Sequence, residues 1–304
     1  MTINDYLLNF EEYRWIQTDI NNLDVLDFIM DSDKNFWVVN KISGKKFYGY
    51  MVYKKDKNGD RYNFYTQETY TKSKDFSNYS LIELPKFNFS VFKPKLFYLA
   101  HKEYLPGIWK KFADSLNAIG ISDNNIGIFG SYLIGFDIIK DVDFVVYGLN
   151  NLETCYKNIK IFQQKIGATS ISSKHIDYQY NKHNASYNSN YDLKTIISRN
   201  WSGVQIKDGV LSTIRFVDES NQQIPKIDAQ KRILTGYVVD WLKSALVPRK
   251  ATVCIDNENY TIYTHYWKLQ SFARDKDKII VYGKVDFDNK IIVVEDNDDY
   301  IKFI

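Results

Sequence analysis

The run Asp141-Val142-Asp143-Phe144-Val145-Val146-Tyr147 constrains this chain more than any other segment. In an extended strand successive side chains alternate between two faces, so Asp141 and Asp143 share one face while Val142, Phe144 and Val146 share the other. One face is committed to an apolar core. The other holds two carboxylates side by side, an arrangement that is unfavourable unless cations neutralise it. Hard oxygen ligands on a rigid strand suit Mg²⁺ or Mn²⁺, ions that also bridge to phosphates.

A second element of compatible chemistry stands just upstream. Ile126 to Phe129 forms a short apolar strand, and Gly130-Ser131 follows it directly at the start of a short helical stretch. Glycine lets the backbone approach a phosphate closely, and the amide donors and the Ser131 hydroxyl can bind its oxygens. The stretch GIFGSYLIGFDIIKDVDFVVYG, residues 127 to 148, thus reads as a holder for a metal-bound triphosphate. No GxxxxGK loop is present, which disfavours a P-loop enzyme.

Periodicity places this stretch in a wider frame. Two β-rich runs, FWVV and KFYGYMVY, lead to Asp56-Lys57-Asn58-Gly59, a hairpin turn signal, so residues 1–99 read as a small β-rich N-terminal unit. Leu105, Ile108, Trp109, Phe112, Leu116 and Ile119 recur at helical spacing, as do Leu152, Cys155, Tyr156, Ile159, Phe162 and Ile166, the latter run closed by Gly167. With a third strand over Val210 to Val217, residues 100–222 read as an α/β core, and residues 170 to 208 as irregular. From residue 223 to 304 the pattern is all β, five strands with short turns, which predicts a small barrel of the OB type.

The order of apolar strand, Gly-Ser, a spacer of about ten residues and then Asp-apolar-Asp-apolar resembles the signature of the DNA polymerase β nucleotidyltransferase superfamily. The wording GSYLIGF followed by DVDFVVYG looks most like its minimal nucleotidyltransferases. The resemblance implies a fold class of α/β, a polymerase β-type core with a mixed sheet and flanking helices between the two β-rich units. It implies transfer of a nucleoside monophosphate from a nucleoside triphosphate to a hydroxyl acceptor, which could be RNA, a protein or a small molecule. By the same resemblance Gly130 and Ser131 would touch the nucleotide phosphates, and Asp141 and Asp143 would be catalytic and ligate the metal.

Members of that superfamily usually carry a third acidic residue on a neighbouring strand. Here that strand is VLSTIRFVDES, whose acids come only at its end, so Asp218 is the nearest candidate and Asp228 a weaker one. Arg215, with its planar donor fork, is a candidate for neutralising the triphosphate, and Lys194 and Arg199 are candidates from a helix entering the site. The missing central carboxylate also leaves open a degenerate core that binds nucleic acid or a partner without catalysis.

Composition excludes other classes. Lysine and arginine total 40 against 37 acids, too balanced for a dedicated nucleic-acid binder. His101, His175, His183 and His265 show no metal-ligand spacing, although His175 and His183, beside Lys174 and Lys182, could form a local RNA contact. Cys155 and Cys254 form no disulfide framework or zinc cluster, which points to a reducing cytoplasm and to buried structural thiols. No basic leader or long apolar run is found, so neither secretion nor a membrane partner is expected.

Overall fold

The computed structural model describes residues 23–73, 81–84, 89–136, 141–183, 192–206, 210–266 and 269–304. It is built on three sheets. The first collects β1 (Phe28–Met30), β2 (Phe36–Ser43), β3 (Lys46–Lys55), β4 (Arg61–Asn63), β5 (Glu68–Lys72), β6 (Ile82–Glu83) and β7 (Ser90–Phe92). They are hydrogen-bonded in the order β4-β5-β3-β2-β1-β7, with β6 on β3, and the sheet curls into a half-barrel. The Asp56 to Gly59 turn lies between β3 and β4, where Gly59 N donates to Asp56 O at 3.0 Å and Asn58 N to the Asp56 side chain at 3.0 Å.

Two helices follow, α1 (Pro94–His101) and α2 (Gly107–Ala118), and lead into the second sheet. This sheet contains β8 (Ile126–Phe129), β9 (Asp141–Tyr147), β10 (Ala168–Ser170), β11 (Gly203–Ile206), β12 (Leu211–Val217) and the short β14 (Leu246–Val247). Its order is β10-β11-β12-β9-β8, with β9 and β12 parallel and β14 on β12. The crossover from β9 to β12 carries α3 (Leu149–Ile166), α4 (Ser173–His183) and α5 (Leu193–Ser198). Helix α3 ends at Gly167 in a left-handed conformation, φ 72°, which glycine adopts without steric cost.

The third sheet is a closed barrel of β13 (Lys231–Asp240), β15 (Arg249–Ile255), β16 (Glu258–Thr264), β17 (Lys278–Asp286) and β18 (Ile291–Val294), with β19 (Tyr300–Phe303) added outside β17. Its strands run β13-β15-β16-β18-β17, and pairing of β13 with β17 closes the ring. No helix among the described residues is long and apolar enough to cross a membrane. Cys155 is buried, whereas Cys254 is only half-buried, and both are free thiols.

This architecture corrects the expected fold class. The described residues are β-rich, 41% strand against 26% helix, with a half-barrel and a closed five-stranded barrel, and they do not form an α/β protein with a polymerase β-type core. The expectation weighted the stretch around residues 127 to 148 and its neighbouring helices. The strands on either side outweigh it and pack against it, because each sheet has an apolar face that needs a partner. Buried side chains from Leu23 to Ile301 form a single apolar cluster through all three sheets.

The joints are specific. Phe28 on β1 meets Phe129 on β8 with ring centroids 4.9 Å apart, and Phe64 N donates to Gly135 O at 2.8 Å. Asn40 on β2 donates to the His265 carbonyl at 2.8 Å, which ties the half-barrel to the barrel. His265 itself is buried, its Nδ1 has no hydrogen-bond partner among the described residues, and burial, then the charge of Lys41, pushes its imidazole down to about 3. The folded state therefore keeps it neutral where the unfolded chain would take up a proton, so stability is lost as pH falls from about 6.5 towards 3, by about 1.4 kcal/mol per unit. His265→Phe should flatten the pH dependence of chemical denaturation in that window; an unchanged slope would remove His265 as its source.

Candidate functional site

The register of the second sheet fixes which residues meet. Asp141 stands opposite Leu211 and Asp143 opposite Thr213 on β12, and Asp143 is also opposite Phe129 on β8. Directly paired residues share a face, so Asp141, Asp143, Leu211, Thr213, Arg215 and Phe129 look one way. Val142, Phe144, Ser212 and Ile214 look the other way, where Phe144 stacks on Phe112 of α2 at 4.5 Å and an interplanar angle of 5°. That side is core. The aspartate side is the one the half-barrel packs against, through Phe28 and Phe129.

Asp141 is exposed and Asp143 half-buried at the start of β9. Gly130 leaves the end of β8 with φ 80°, and a Cβ built on it would lie 3.0 Å from Asp143 Oδ2. Two requirements coincide there, a left-handed backbone and no side chain. The Gly130 turn and the Asp143 carboxylate are thereby brought close together, and Ser131 begins the turn that runs to Gly135.

Ser131 is held from the half-barrel. Its Oγ is 2.9 Å from the Tyr53 hydroxyl on β3, and Arg61 on β4 donates from Nη1 to that hydroxyl at 3.3 Å. Either hydroxyl can donate in the Tyr53–Ser131 pair, and the Arg61 contact fixes the Tyr53 oxygen as an acceptor. Burial raises the Tyr53 phenol, against the lowering by Arg61 and by the Ser131 hydrogen bond, and Asp143 and Asp141 raise it further. It stays a neutral hydrogen-bonding group.

Lys72 on β5 completes this side. Solvent reaches it, and desolvation, followed by the positive charges of Lys182 and Arg61, pushes its ammonium down to about 8. Asp141 and Asp143 act in the opposite direction on the same group. Sequence reasoning missed Tyr53, Arg61 and Lys72, because they lie on a different sheet far away in the chain. Lys182, at the end of α4, was noted only as a flank of His183, whose side chain lies outside the described residues.

Other expected site residues go elsewhere. Asp218 is five residues beyond Thr213, roughly 16 Å along the strand direction, where it accepts from Ser220 N at 3.1 Å and Ser220 Oγ at 2.6 Å. It lines a cavity with Lys243 and Lys250 and is not part of the aspartate pair's surroundings. Asp228 is exposed in the segment before β13. Lys194 pairs with Asp177 at 2.6 Å, an exposed ion pair on the helices. Arg199 is bound by Asp277 and lies 4.1 Å over the Phe303 ring, so it serves the junction with the barrel. Arg215 does share the aspartate face, buried and 5.1 Å over Phe129, one rung beyond Thr213.

A hard divalent cation fits the donor set of Asp141 and Asp143, two carboxylates on one face with open surroundings at Asp141. A second acidic group, Asp296, Asp298 and Asp299, has the composition of a metal site. Its centre is taken by the Lys231 ammonium, 2.9 Å from Asp296, 2.9 Å from Asp299 and in contact with Asp298. Burial works against that charge, but the three carboxylates outweigh it and raise the ammonium. A lysine does there what a metal would do.

The chain matches no protein-family model, no curated protein and no solved structure. What the site can do is therefore read from its own geometry. Two carboxylates on one strand face, a glycine turn beside one of them and a serine hydroxyl bonded to Tyr53 are what the structure brings together there.

Proposed function

We propose that the protein is a metal-dependent nucleotidyltransferase that moves a nucleoside monophosphate from a nucleoside triphosphate to a hydroxyl acceptor, with release of pyrophosphate. The observation that carries this reading is the closure of the Gly130 turn onto Asp143, 3.0 Å from the absent Cβ, with Ser131 held beside it. The reading rests on the site and not on kinship of fold.

In this account Asp141 and Asp143 hold Mg²⁺ or Mn²⁺, which when bound polarises the α-phosphate and offsets charge on the reacting oxygens. Ser131 and the Gly130 turn bind phosphate oxygens, and positioning with electrostatics supplies most of the rate. The acceptor oxygen forms a bond to the α-phosphorus, the bond from that phosphorus to the bridging oxygen breaks, and pyrophosphate leaves. β12 presents Leu211, Thr213 and Arg215 on this face and no carboxylate, so the acceptor's proton passes to solvent or to a phosphate oxygen of the substrate itself. RNA, a protein side chain and a small molecule all offer the required hydroxyl.

Thr213 and Arg215 at those positions favour a second reading, a protein that binds nucleotide without transferring it. Incubation with Mg²⁺, cell extract and each α-labelled nucleoside triphosphate separates the two. The enzyme should release pyrophosphate and leave label on an acceptor; nucleotide binding with neither product would establish the second reading.

A further inference from the structure

The wall of the barrel carries a separate polar cavity of about 210 Å³, whose lining includes none of Gly130, Ser131, Asp141 and Asp143. In the register of β15 and β16, Lys250 stands opposite Tyr263 and Thr252 opposite Thr261, and Asp240 of β13 pairs with Thr252 from the other side. The intervening Ala251, Val253 and Ile262 are buried in the barrel, so the cavity residues lie on its outer face. The turn from Asp218 to Asn221 after β12 and the short helical turn Leu242–Ala245, which carries Lys243, complete the lining.

Lys250 is only 6% exposed, and its ammonium donates to the Asn221 carbonyl at 2.7 Å. Among the described residues that carbonyl is its one hydrogen-bond acceptor, and no carboxylate lies within ion-pair distance. An ammonium has three donors, so two are left without a protein acceptor in a largely desolvated place. Desolvation pushes the group down to about 8 against the charge of Asp218, and it is still mostly protonated at neutral pH. Asp218 in turn uses one oxygen, Oδ1, for both Ser220 contacts, and its other oxygen has no partner among the described residues. Asp240 and Lys243, by contrast, are paired with each other at 2.8 Å.

The cavity thus offers one cation and one anion that do not reach each other, with three hydroxyls between strands β15 and β16. A simple anion would satisfy Lys250 and be repelled by Asp218, and a simple cation would meet the reverse; a zwitterion answers both charges. The volume is below the roughly 300–1,000 Å³ of pockets for drug-sized ligands, which limits the occupant to a small molecule. We propose that this cavity binds a small α-amino acid, its carboxylate on Lys250 and the threonine hydroxyls and its ammonium on Asp218. The site does not depend on the nucleotidyltransferase reading.

The test is calorimetric titration of the full chain with glycine, alanine, serine and tryptophan, and with propionate and ethylamine, which each keep one of alanine's two charges. At least one of the three small amino acids should bind about tenfold or more tightly than propionate or ethylamine, the ratio expected for a lost charge-assisted hydrogen bond. Tryptophan, too large for the cavity, should not bind. Asp218→Asn keeps an oxygen for the Ser220 contacts and removes the charge, so it should weaken the amino acid by about tenfold and leave propionate no weaker. Lys250→Met keeps the buried stem and should weaken both the amino acid and propionate by about tenfold; if it fails to fold, Asp218→Asn decides alone. Absence of binding by all three small amino acids, propionate binding as tightly as alanine, or an affinity unchanged in Asp218→Asn would overturn the site. No metal or nucleotide enters the assay, so its outcome is separate from that of the transfer reaction.

Discussion

Replacing Asp141 and Asp143 together by Asn should lower nucleotidyl transfer by about a thousandfold or more while leaving unfolding free energy within about 1 kcal/mol of the parent. The two effects separate because the pair lies at the start of β9, Asp141 exposed and Asp143 half-buried, where its proposed part is to offer ligand oxygens and its burial is small. Mutual repulsion between the carboxylates is partly offset by Lys72 and Arg61 nearby, so its removal should move stability only slightly. Pyrophosphate release and urea denaturation on the same preparation give both numbers. A variant that transfers normally would remove the pair from catalysis, and one that loses several kcal/mol would make the pair structural.

The neighbouring residue should behave in the opposite way. Phe144→Ala is expected to cost about 3–5 kcal/mol, a large share of the stability of an ordinary domain. Phe144 is fully buried, stacked on Phe112 at 4.5 Å and 5.5 Å from Trp109, on the face of β9 that α2 covers. Truncation would leave a cavity lined by rings that cannot collapse into it without moving the helix. Urea denaturation reads the loss directly, and a cost below about 1.5 kcal/mol would mean that α2 does not pack on β9 as described.

That alternation along β9 was legible in the sequence, because a period of two needs only local information. So were the strand Ile126 to Phe129, the amphipathic helix ending at Gly167, and the strands of the C-terminal region. Helix α4 was not: SKHIDYQYNKH has no apolar stripe, and the segment around it read as irregular. The four-residue β19, after an acidic run, was too short to declare itself and exists by pairing with β17. The α/β fold class failed because sequence patterns name elements and not their partners; nothing in KFYGYMVY says that its sheet will pack against the one that carries the aspartates. For the same reason Tyr53, Arg61 and Lys72 could not be found, while Asp218 was chosen for its chain position beside a strand whose register carries it away from the pair.

In the proposed function Asp141, Asp143 and the Ser131 turn together bind a metal-bound nucleoside triphosphate. It is tested most directly by the melting temperature of the parent chain and of the double Asn variant, each with and without Mg²⁺ and each nucleoside triphosphate in excess. A ligand that binds only the folded state stabilises it by about 2.7 kcal/mol at a hundred times its dissociation constant. The parent should therefore melt several degrees higher with at least one Mg²⁺-nucleotide pair, and the double variant should gain markedly less from the metal. Equal shifts in the two proteins, or no shift in the parent with any nucleotide, would contradict the account.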